Sequence, residues 1–328
     1  MDGSNCHRWE VRTGSTRFDV PMHVPVMLEE VLVAFQIRSG GRYIDGTTGG
    51  GGHTEALLRA SDPNGRVLAL DRDSEAVDQV TRQMAPFGNR CVVVQGNFSL
   101  LRRFAVLHGF ESVDGILLDL GVSSLQLDEG RRGFGFSQEG PLDMRMDRTQ
   151  VLSVEKLIQT ATEEELARLI WEYGEERDSR RVARGLVRAR EQGSIQTTTQ
   201  LAEIVSRAKG GRRGRIHPAT KTFQALRIAV NDEFNHLHQG LDAAVDMVRT
   251  GGRLAVISFH SLEDRIVKKA FAAHVGRNES LPLGGTQWVG RLPAFTWVRR
   301  KPITPTDAEI RRNPRSRSAK LRVIERKE

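Results

Sequence analysis

Between Arg42 and Leu120, short apolar runs alternate with longer amphipathic segments. The runs are aliphatic or β-branched along their whole length, which is typical of parallel strands buried on both faces. Alternating strands and helices predict a doubly wound α/β sheet that binds ligands at the carboxyl ends of its strands. The predicted strands are Arg42–Asp45, Arg66–Asp71, Arg90–Gln95 and Val113–Leu120, and the predicted helices are Thr54–Ala60, Ser74–Pro86 and Ser99–Gly109, with Ser74 and Ser99 as N-caps.

After Val122 this alternation stops for about a hundred residues. A loop rich in Gly, Asp and Arg is followed only by helical patterns, which predict an inserted all-helical domain over residues 128–218. Thr162 begins a capping box, and Thr199 is the predicted N-cap of the last helix. The predicted helices of this insertion are Val154–Thr160, Glu163–Tyr173, Glu176–Glu191 and Gln200–Lys209.

The α/β pattern then resumes, so residues 22–127 and 219–328 are predicted to form one discontinuous domain. A long helix, Ala219–Arg249, is expected to break at Gly240. Residues 1–21 are polar and aperiodic, which predicts a disordered extension, with Met22 as an alternative first residue. The other predicted elements are the strands Arg253–Ser258, Phe295–Ile303 and Lys320–Glu325, the helix Ser261–His274 and a short helix capped by Thr306.

The composition of the 328 residues narrows the functional classes. No apolar stretch approaches the roughly 20 residues that a membrane-spanning helix needs. The two cysteines, Cys6 and Cys91, provide no disulfide framework, which favours a reducing cytoplasm. Of the net charge of +8, +7 lies in residues 299–328, which contain eleven Lys/Arg and four Asp/Glu. This cationic tail suits a polyanion such as nucleic acid, and a solubilising tail is the alternative.

The segment from Arg42 to His53 carries the most informative chemistry. A strand ends in Asp45, four consecutive glycines follow, and a helix begins. Backbone without side chains can approach a ligand closely, and the N–H groups at the start of a helix point at it. About 19 residues after Gly52, the next strand ends in Asp71, where a carboxylate can accept hydrogen bonds from ribose hydroxyls. The segment therefore predicts a pocket for a nucleotide-like ligand.

The choice of ligand depends on Asp45. A carboxylate at the tip of this strand would repel a pyrophosphate, and the glycines do not keep the spacing of a dinucleotide site. No Gly-Lys-Ser/Thr sequence follows, so the loop is not a Walker motif. S-adenosylmethionine, with its amino group and sulfonium, is favoured over a dinucleotide, which stays as the alternative. Phe98 provides an adenine face or a core residue, and Asp119 ends an apolar strand where a carboxylate favours a functional role.

No metal site is expected from the sequence. His236 and His238 diverge on a helix, and neither cysteine lies at ligand spacing from a histidine. Ser258-Phe-His260 ends the fifth strand, but no acid supports a nucleophile there, so a pocket-lining role is favoured.

With these motifs, the chain resembles the bacterial RsmH (MraW) methyltransferases. The matching blocks extend from residue 23 almost to the C-terminus, and several are long and unusual. They are His23-Val-Pro-Val26, Asp45-Gly-Thr-Thr-Gly-Gly-Gly-Gly-His53, Leu70-Asp-Arg-Asp73, Asp119-Leu-Gly-Val-Ser-Ser-Leu-Gln126, Gly140-Pro-Leu-Asp-Met-Arg-Met-Asp147, Phe223-Gln-Ala-Leu-Arg-Ile-Ala-Val-Asn231, Ser258-Phe-His-Ser-Leu-Glu-Asp264 and Asn313-Pro-Arg-Ser-Arg-Ser-Ala-Lys-Leu-Arg322.

The resemblance implies a class I (Rossmann-like) methyltransferase with a helical insertion. It implies methyl transfer from S-adenosylmethionine, which leaves S-adenosylhomocysteine, to N4 of a cytidine in the decoding region of 16S rRNA in the small ribosomal subunit. No metal and no membrane partner are expected, and the oligomeric state stays open. The cofactor contacts it implies are Gly51, Gly52 and His53 in the loop, Asp71 at the ribose, Phe98 at the base, and Asp119 and Gln126 near the reacting end.

Two hypotheses concern the substrate. Asp119 polarises the cytosine amine, with either Phe134 or Phe136 stacking on the base; the alternative is that Asp119 contacts only the cofactor. The basic loop Arg212–Arg215 and the tail Arg311–Arg322 bind RNA phosphates. Two other functional classes stay open, a nicotinamide-dependent oxidoreductase and a ribosome-assembly factor whose binding matters more than its catalysis.

Overall fold

The computed structural model describes residues 25–211, 217–280, 285–289 and 294–328. The predicted extension at 1–21 and the basic loop Arg212–Arg215 lie outside these residues. Within the described ranges, no helix is both long enough and apolar enough to span a bilayer.

A seven-stranded sheet forms the centre of the fold, with the order β3-β2-β1-β4-β5-β9-β8. The first five strands pair in parallel, and β9 joins β5 in antiparallel orientation. Two further strands, β6 and β7, pair separately. The strands are β1 Arg42–Asp45, β2 Arg66–Asp71, β3 Cys91–Gln95, β4 Val113–Asp119, β5 Val248–Ser258, β6 Arg277–Ser280, β7 Thr286–Val289, β8 Phe295–Trp297 and β9 Lys320–Arg326.

This strand order confirms the predicted doubly wound fold. The chain leaves β1 for β2 on one side and β4 lies on the other, so the order reverses beside β1. The crevice at such a switch point is the usual ligand site of open α/β sheets. Contrary to the expectation that each strand is buried on both faces, β3 and its Cys91 at the sheet edge are only partly buried. In the part of the chain that the structure describes, β3 pairs with β2 alone.

Helices lie against the sheet and form a separate group after β4. They are α1 Leu28–Phe35, α2 Gly52–Ala60, α3 Ser74–Met84, α4 Leu101–His108, α5 Ser124–Asp128, α6 Val154–Thr160, α7 Glu163–Gly174, α8 Ser179–Gln192, α9 Thr198–Ala208, α10 Thr220–Asn231, α11 Glu233–Met247, α12 Ser261–Val275 and α13 Asp307–Arg312.

The N-caps only partly follow the prediction. Thr162 forms the expected capping box with Glu165 at the start of α7. At α3 the cap is Asp73, not Ser74, because the Asp73 carboxylate accepts a hydrogen bond from Glu75 N. Thr197, not Thr199, caps α9. Ser99 donates its backbone N–H to the Asn97 side chain, so Asn97 is the cap there.

The long helix breaks eight residues earlier than predicted. Asp232 adopts a left-handed conformation with φ 49°, which separates α10 from α11. Gly240 lies inside α11 and is buried there. A Cβ at this position would lie 2.4 Å from Phe98 Cδ2, so the glycine allows a close approach rather than a turn.

Two hydrophobic clusters cover the two faces of the sheet, and a third lies within the helical region. The third cluster joins α6–α9 to the segment between β4 and α6. It also includes Ala219, Phe223, Leu226 and Val230, so the packing of the helical region continues into α10, beyond residue 218. This matters for function because the far end of α10 reaches the crevice described next.

Candidate functional site

A cavity of about 340 Å³ lies at the carboxyl ends of β1, β2 and β4. This volume lies at the lower end of the range for small-molecule sites. Of the predicted site residues, six line it and Gly51 does not. The six lining residues are Gly52, His53, Asp71, Phe98, Asp119 and Gln126.

Asp45 anchors the glycine loop from beneath. Its side chain is fully buried, and its carboxylate accepts hydrogen bonds from Thr54 Oγ1 at 2.7 Å and Thr47 N at 3.2 Å. Burial raises the pKa of Asp45 to about 6. Asp45 does not line the cavity, so its carboxylate supports the loop from beneath and does not face a ligand. Because successive side chains of a strand point to opposite faces of the sheet, the Asp45 side chain points toward α2, where it reaches Thr54.

The glycines of the loop have two separate roles. Gly51 is the residue before α2 and has φ 82°, a conformation that favours glycine. Its added Cβ would face Val80 and Gln83 of α3, not the cavity. Gly52 lines the cavity, and a Cβ there would lie 2.5 Å from Pro25 Cγ. Gly51 therefore sets the loop conformation, while Gly52 allows the close packing of the loop against Pro25.

Asp71 lies at the tip of β2 with both carboxylate oxygens oriented by backbone. Oδ2 accepts a hydrogen bond from Gly49 N at 2.8 Å, and Oδ1 accepts one from Asp73 N at 2.9 Å. Burial raises the pKa of Asp71. Each oxygen keeps acceptor capacity beyond its one bond, so Asp71 can receive two hydroxyl groups of a ribose.

Phe98 forms an apolar wall beyond β3. Its ring packs against Gly240 of α11, which has no side chain to displace it. The neighbouring Asn97 side chain accepts a hydrogen bond from Ser99 N at 2.9 Å and so starts the short helix that holds the ring. The site therefore offers a flat apolar surface next to Asp71.

Asp119 ends β4 inside the cavity. Its N–H donates to Thr47 Oγ1 at 2.6 Å, and its Oδ2 lies 3.7 Å from His53 Nε2. Its Oδ1 is buried and hydrogen-bonds to none of the described residues. Burial raises the pKa of Asp119 well above its ordinary value, and the negative charges of Asp45 and Glu263 add to this. A buried acceptor without a partner is costly, so this oxygen is suited to a donor on a ligand.

Gln126 contributes mainly by holding the loop after β4. Its Oε1 accepts a hydrogen bond from Ser123 N at 3.1 Å, which completes a capping box at α5. Its Nε2 donates to Asp73 Oδ2 at 2.8 Å. Asp73 in turn forms a buried ion pair with Arg132 Nη1 at 2.7 Å. This chain of contacts joins the cavity wall to the start of the helical region.

Several cavity residues were missed by sequence reasoning. Arg227, Glu233, Phe234 and Glu263 line the side of the cavity formed by α10, α11 and the start of α12. The pocket-lining role predicted for Ser258-Phe-His260 holds for Phe259, which lines the cavity, but not for Ser258 and His260. The available signals for Arg227 and Glu263 were the blocks 223–231 and 258–264, which were interpreted only as marks of resemblance.

The aromatic residues expected to stack on a base are elsewhere. Phe134 is buried in the helical cluster, and Phe136 packs against His217 and Phe223 with ring centroids at 4.6 and 4.7 Å. Neither lines the cavity, whereas Phe234 and Phe259 do. Both rings therefore serve the packing of the helical core, and the structure does not support either of them as the residue that stacks on a base.

The cationic tail is partly neutralised within the protein. Arg322 is buried and donates to Asp264, which also pairs with Lys320. Arg315 pairs with Asp128 and lines the cavity. Arg311, Arg312 and Arg317 are exposed. A polyanion can therefore reach only part of the positive charge that the sequence places here.

The residues present fit S-adenosylmethionine. Asp71 has acceptors for ribose hydroxyls, Phe98 offers an apolar face for adenine, and the glycine loop leaves room for close approach. Asp119 places a carboxyl group in the same cavity. Among the residues that the structure describes, no group of three or more His, Cys, Asp or Glu side chains is arranged to hold a metal ion.

The family model and the relatives that match this chain point to the same family of methyltransferases. The chain matches the model of the MraW methylase family over residues 21–327. A protein named ribosomal RNA small subunit methyltransferase H from Symbiobacterium thermophilum is 49% identical over 304 residues, covering 92% of this chain and 96% of the relative. Proteins of the same name from Citrifermentans bemidjiense and Methylobacterium nodulans are 49% and 50% identical, covering 93% and 94% of this chain and 98% and 91% of the relatives.

Proposed function

The chain belongs to the MraW methylase family, and we propose that it methylates N4 of a cytidine in the decoding region of 16S rRNA. The family resemblance drawn from the sequence motifs is thus confirmed, and the chain is a methyltransferase rather than a nicotinamide-dependent oxidoreductase. A ribosomal substrate would be met in the bacterial cytoplasm. The protein would bind the small ribosomal subunit or its rRNA.

The observation that carries the proposal is the buried Oδ1 of Asp119, which hydrogen-bonds to no residue in the described part of the chain. The exocyclic amine of cytosine is a poor nucleophile because its lone pair is delocalised into the ring. An acceptor fixed in the cavity orients the amine and accepts its proton as the new bond forms. The raised pKa of Asp119 strengthens it as a base relative to an ordinary carboxylate.

The cofactor side of the proposal uses the remaining residues. When bound, S-adenosylmethionine supplies a methyl group on a positively charged sulfur, and S-adenosylhomocysteine is the product. Asp71 would bind the ribose, Phe98 would face the adenine, and the loop Gly51-Gly52-His53 would enclose the cofactor. Gln126 would act through Asp73, since its amide is used in holding the loop after β4.

The amine must leave the folded RNA to enter the cavity, which costs a few kcal/mol. We assign the compensating phosphate contacts to the exposed arginines of the tail and to Arg212–Arg215, which lies outside the described residues. Phe234 and Phe259 replace Phe134 and Phe136 as candidates for stacking on the base, because they line the cavity.

The test is methyl transfer by the purified protein with labelled S-adenosylmethionine. Small subunits and free 16S rRNA from cells lacking the gene serve as acceptors, and digestion followed by mass spectrometry identifies the product nucleoside. The proposal expects N4-methylcytidine at one position. Methylation of another base, or at another atom of cytidine, would overturn it. Normal subunit assembly with an inactive variant, and failed assembly without the protein, would instead favour an assembly factor.

A further inference from the structure

A buried charged cluster lies on the side of the cavity away from the glycine loop. Arg227 of α10 donates from Nε and Nη2 to the two carboxylate oxygens of Glu233, at 2.8 and 2.9 Å. Its Nη2 also lies 3.9 Å from Glu263 Oε1. All three residues line the cavity that contains Asp119. The charge of Glu263 also contributes to the raised pKa of Asp119, so the cluster lies close to that carboxylate.

The two glutamates are themselves fixed in place. Glu263 Oε2 accepts hydrogen bonds from Phe259 N and His260 N at the start of α12. Glu233 begins α11, directly after the left-handed residue Asp232. Arg227 is therefore held from two helices, and only 14% of its side chain is exposed. A planar guanidinium fixed in this way presents its remaining N–H groups in a defined direction.

Arg227 has donors that remain unused within the described ranges of the chain. Its Nη1 makes no hydrogen bond with any of the described residues, while Nε and Nη2 are occupied by Glu233. Two N–H groups on Nη1 are thus available to a molecule in the cavity. A buried ion pair contributes little to stability compared with apolar packing, so stability alone does not account for this cluster.

The charge of the cluster restricts what Arg227 can bind. One guanidinium faces two carboxylates, and Asp119 adds a further acidic group in the same cavity. Burial lowers the pKa of Arg227 while its two glutamates raise it, with a net rise, so the guanidinium stays charged. A phosphate or a carboxylate would meet net negative charge here. A neutral acceptor, such as a carbonyl or ring nitrogen, accepts a hydrogen bond without that repulsion.

We propose that Arg227 selects the acceptor base, with Nη1 donating to the O2 and N3 edge of cytosine while Asp119 accepts from the amine. The inference rests on the proposed function and identifies the residue that gives it base specificity. Uracil would place a carbonyl against Asp119 and its N3–H against Arg227, so both positions would be repulsive and only O2 would remain as an acceptor. Adenine has an amine beside a ring nitrogen but lacks the carbonyl that corresponds to O2.

The test couples a protein change to a substrate change. Arg227→Lys keeps the positive charge between Glu233 and Glu263 but removes the planar fork. The substrate change is 2-thiocytidine at the target position of a ligated 16S rRNA, since sulfur accepts hydrogen bonds more weakly than O2. With the unaltered protein, the thio substrate should lower kcat/KM by about tenfold to a hundredfold. With Arg227→Lys that difference should shrink to less than about threefold.

Controls separate the possible outcomes. Arg190→Lys makes the same exchange at a partly buried arginine that donates to Ile158 O and Ala161 O in the helical region, and it should keep the full thio effect. A thio effect that is undiminished in folded Arg227→Lys would overturn the inference. A loss of S-adenosylmethionine affinity above about tenfold in that variant would also overturn it, in favour of a cofactor contact. If the unaltered protein does not methylate cytidine at all, the proposed function itself has failed.

Discussion

The backbone N–H of Asp119 donates a hydrogen bond of 2.6 Å to the hydroxyl of Thr47, so the tip of β4 is joined to the glycine loop. The same loop is held from below by Asp45, which accepts from Thr47 N and Thr54 Oγ1. The glycine loop and the end of β4 are therefore parts of one hydrogen-bonded unit. Displacement of either part should affect the other.

Replacement of Thr47 tests this connection. Thr47→Val keeps the shape of the side chain but leaves the Asp119 N–H without its acceptor. We expect kcat to fall by about tenfold to a hundredfold, since an unsatisfied buried donor costs about 1–3 kcal/mol. Thr47→Ser keeps the hydroxyl and should retain most of the activity. Equal losses in the two variants, measured by steady-state methyl transfer, would show that the hydroxyl is not the important group.

The buried carboxyl of Asp45 makes stability depend on pH. Burial raises its pKa from 3.8 to about 6 in the folded protein. The folded state therefore holds this proton more tightly than the unfolded chain, and the contribution of Asp45 to stability falls as pH rises through this window. The difference amounts to about 3 kcal/mol above pH 6.

Asp45→Asn should remove this dependence, because an amide does not titrate in this range. Its oxygen can still accept the hydrogen bond from Thr47 N. The free energy of unfolding of the variant, relative to the unaltered protein, should increase by up to about 3 kcal/mol between pH 4 and 7 in urea titrations. Asp242→Asn, on the exposed face of α11, serves as the control and should show no such trend. A difference that is constant over this pH range would contradict the assignment.

The buried ion pair of Arg132 with Asp73 joins the helical region to the end of β2. Arg132→Met leaves the Asp73 carboxylate buried without its cation, at a cost of about 3–5 kcal/mol. Arg131→Met is a matched control, because the adjacent Arg131 is 57% exposed and pairs with Glu75. Its cost should be much smaller, because water and salt screen an exposed ion pair. Similar denaturation midpoints for the two variants would show that the buried pair does not connect the two regions.

The exposed arginines of the tail should contribute to RNA affinity in a salt-dependent way. Changing Arg311, Arg312 and Arg317 together to Gln should reduce the slope of log K against log salt by about 2 to 3. Affinity for S-adenosylmethionine should not change. Arg322→Gln is the comparison, since Arg322 is buried against Asp264 and should affect unfolding instead of the slope. An unaltered slope in the triple variant would remove the tail from the RNA interface.

Local sequence patterns predicted much of the fold. The ends of β1 and β2 were predicted residue by residue, because an apolar run followed by a turn is a local signal. The direction of a side chain at a strand end could not be predicted in this way. Asp45 turns toward Thr54 while Asp119 enters the cavity, and this depends on hydrogen bonds that form only in the folded protein.

Contacts between distant helices were beyond sequence reasoning. Arg227, Glu233 and Glu263 lie on three helices and meet only when α10, α11 and α12 pack together. Gly240 was interpreted as a helix break because glycine disfavours helices. Its actual position against Phe98 shows that a tertiary contact can outweigh that local preference.

The role of Asp119 is central to this account, and Asp119→Asn tests it. The amide keeps the size of the side chain and its backbone bond to Thr47 but cannot take up a proton. The alternative role, contact with the cofactor alone, predicts a different pattern of losses. The two roles are separated by measuring cofactor binding and chemistry on the same folded variant.

The most direct measurement combines calorimetry with single-turnover methyl transfer to small subunits. For Asp119→Asn, we predict that the Kd for S-adenosylmethionine changes by less than about fivefold, while the rate of transfer falls by about a hundredfold to ten-thousandfold. A parallel loss of cofactor affinity, with the transfer rate preserved at saturating cofactor, would contradict the account and limit Asp119 to cofactor binding.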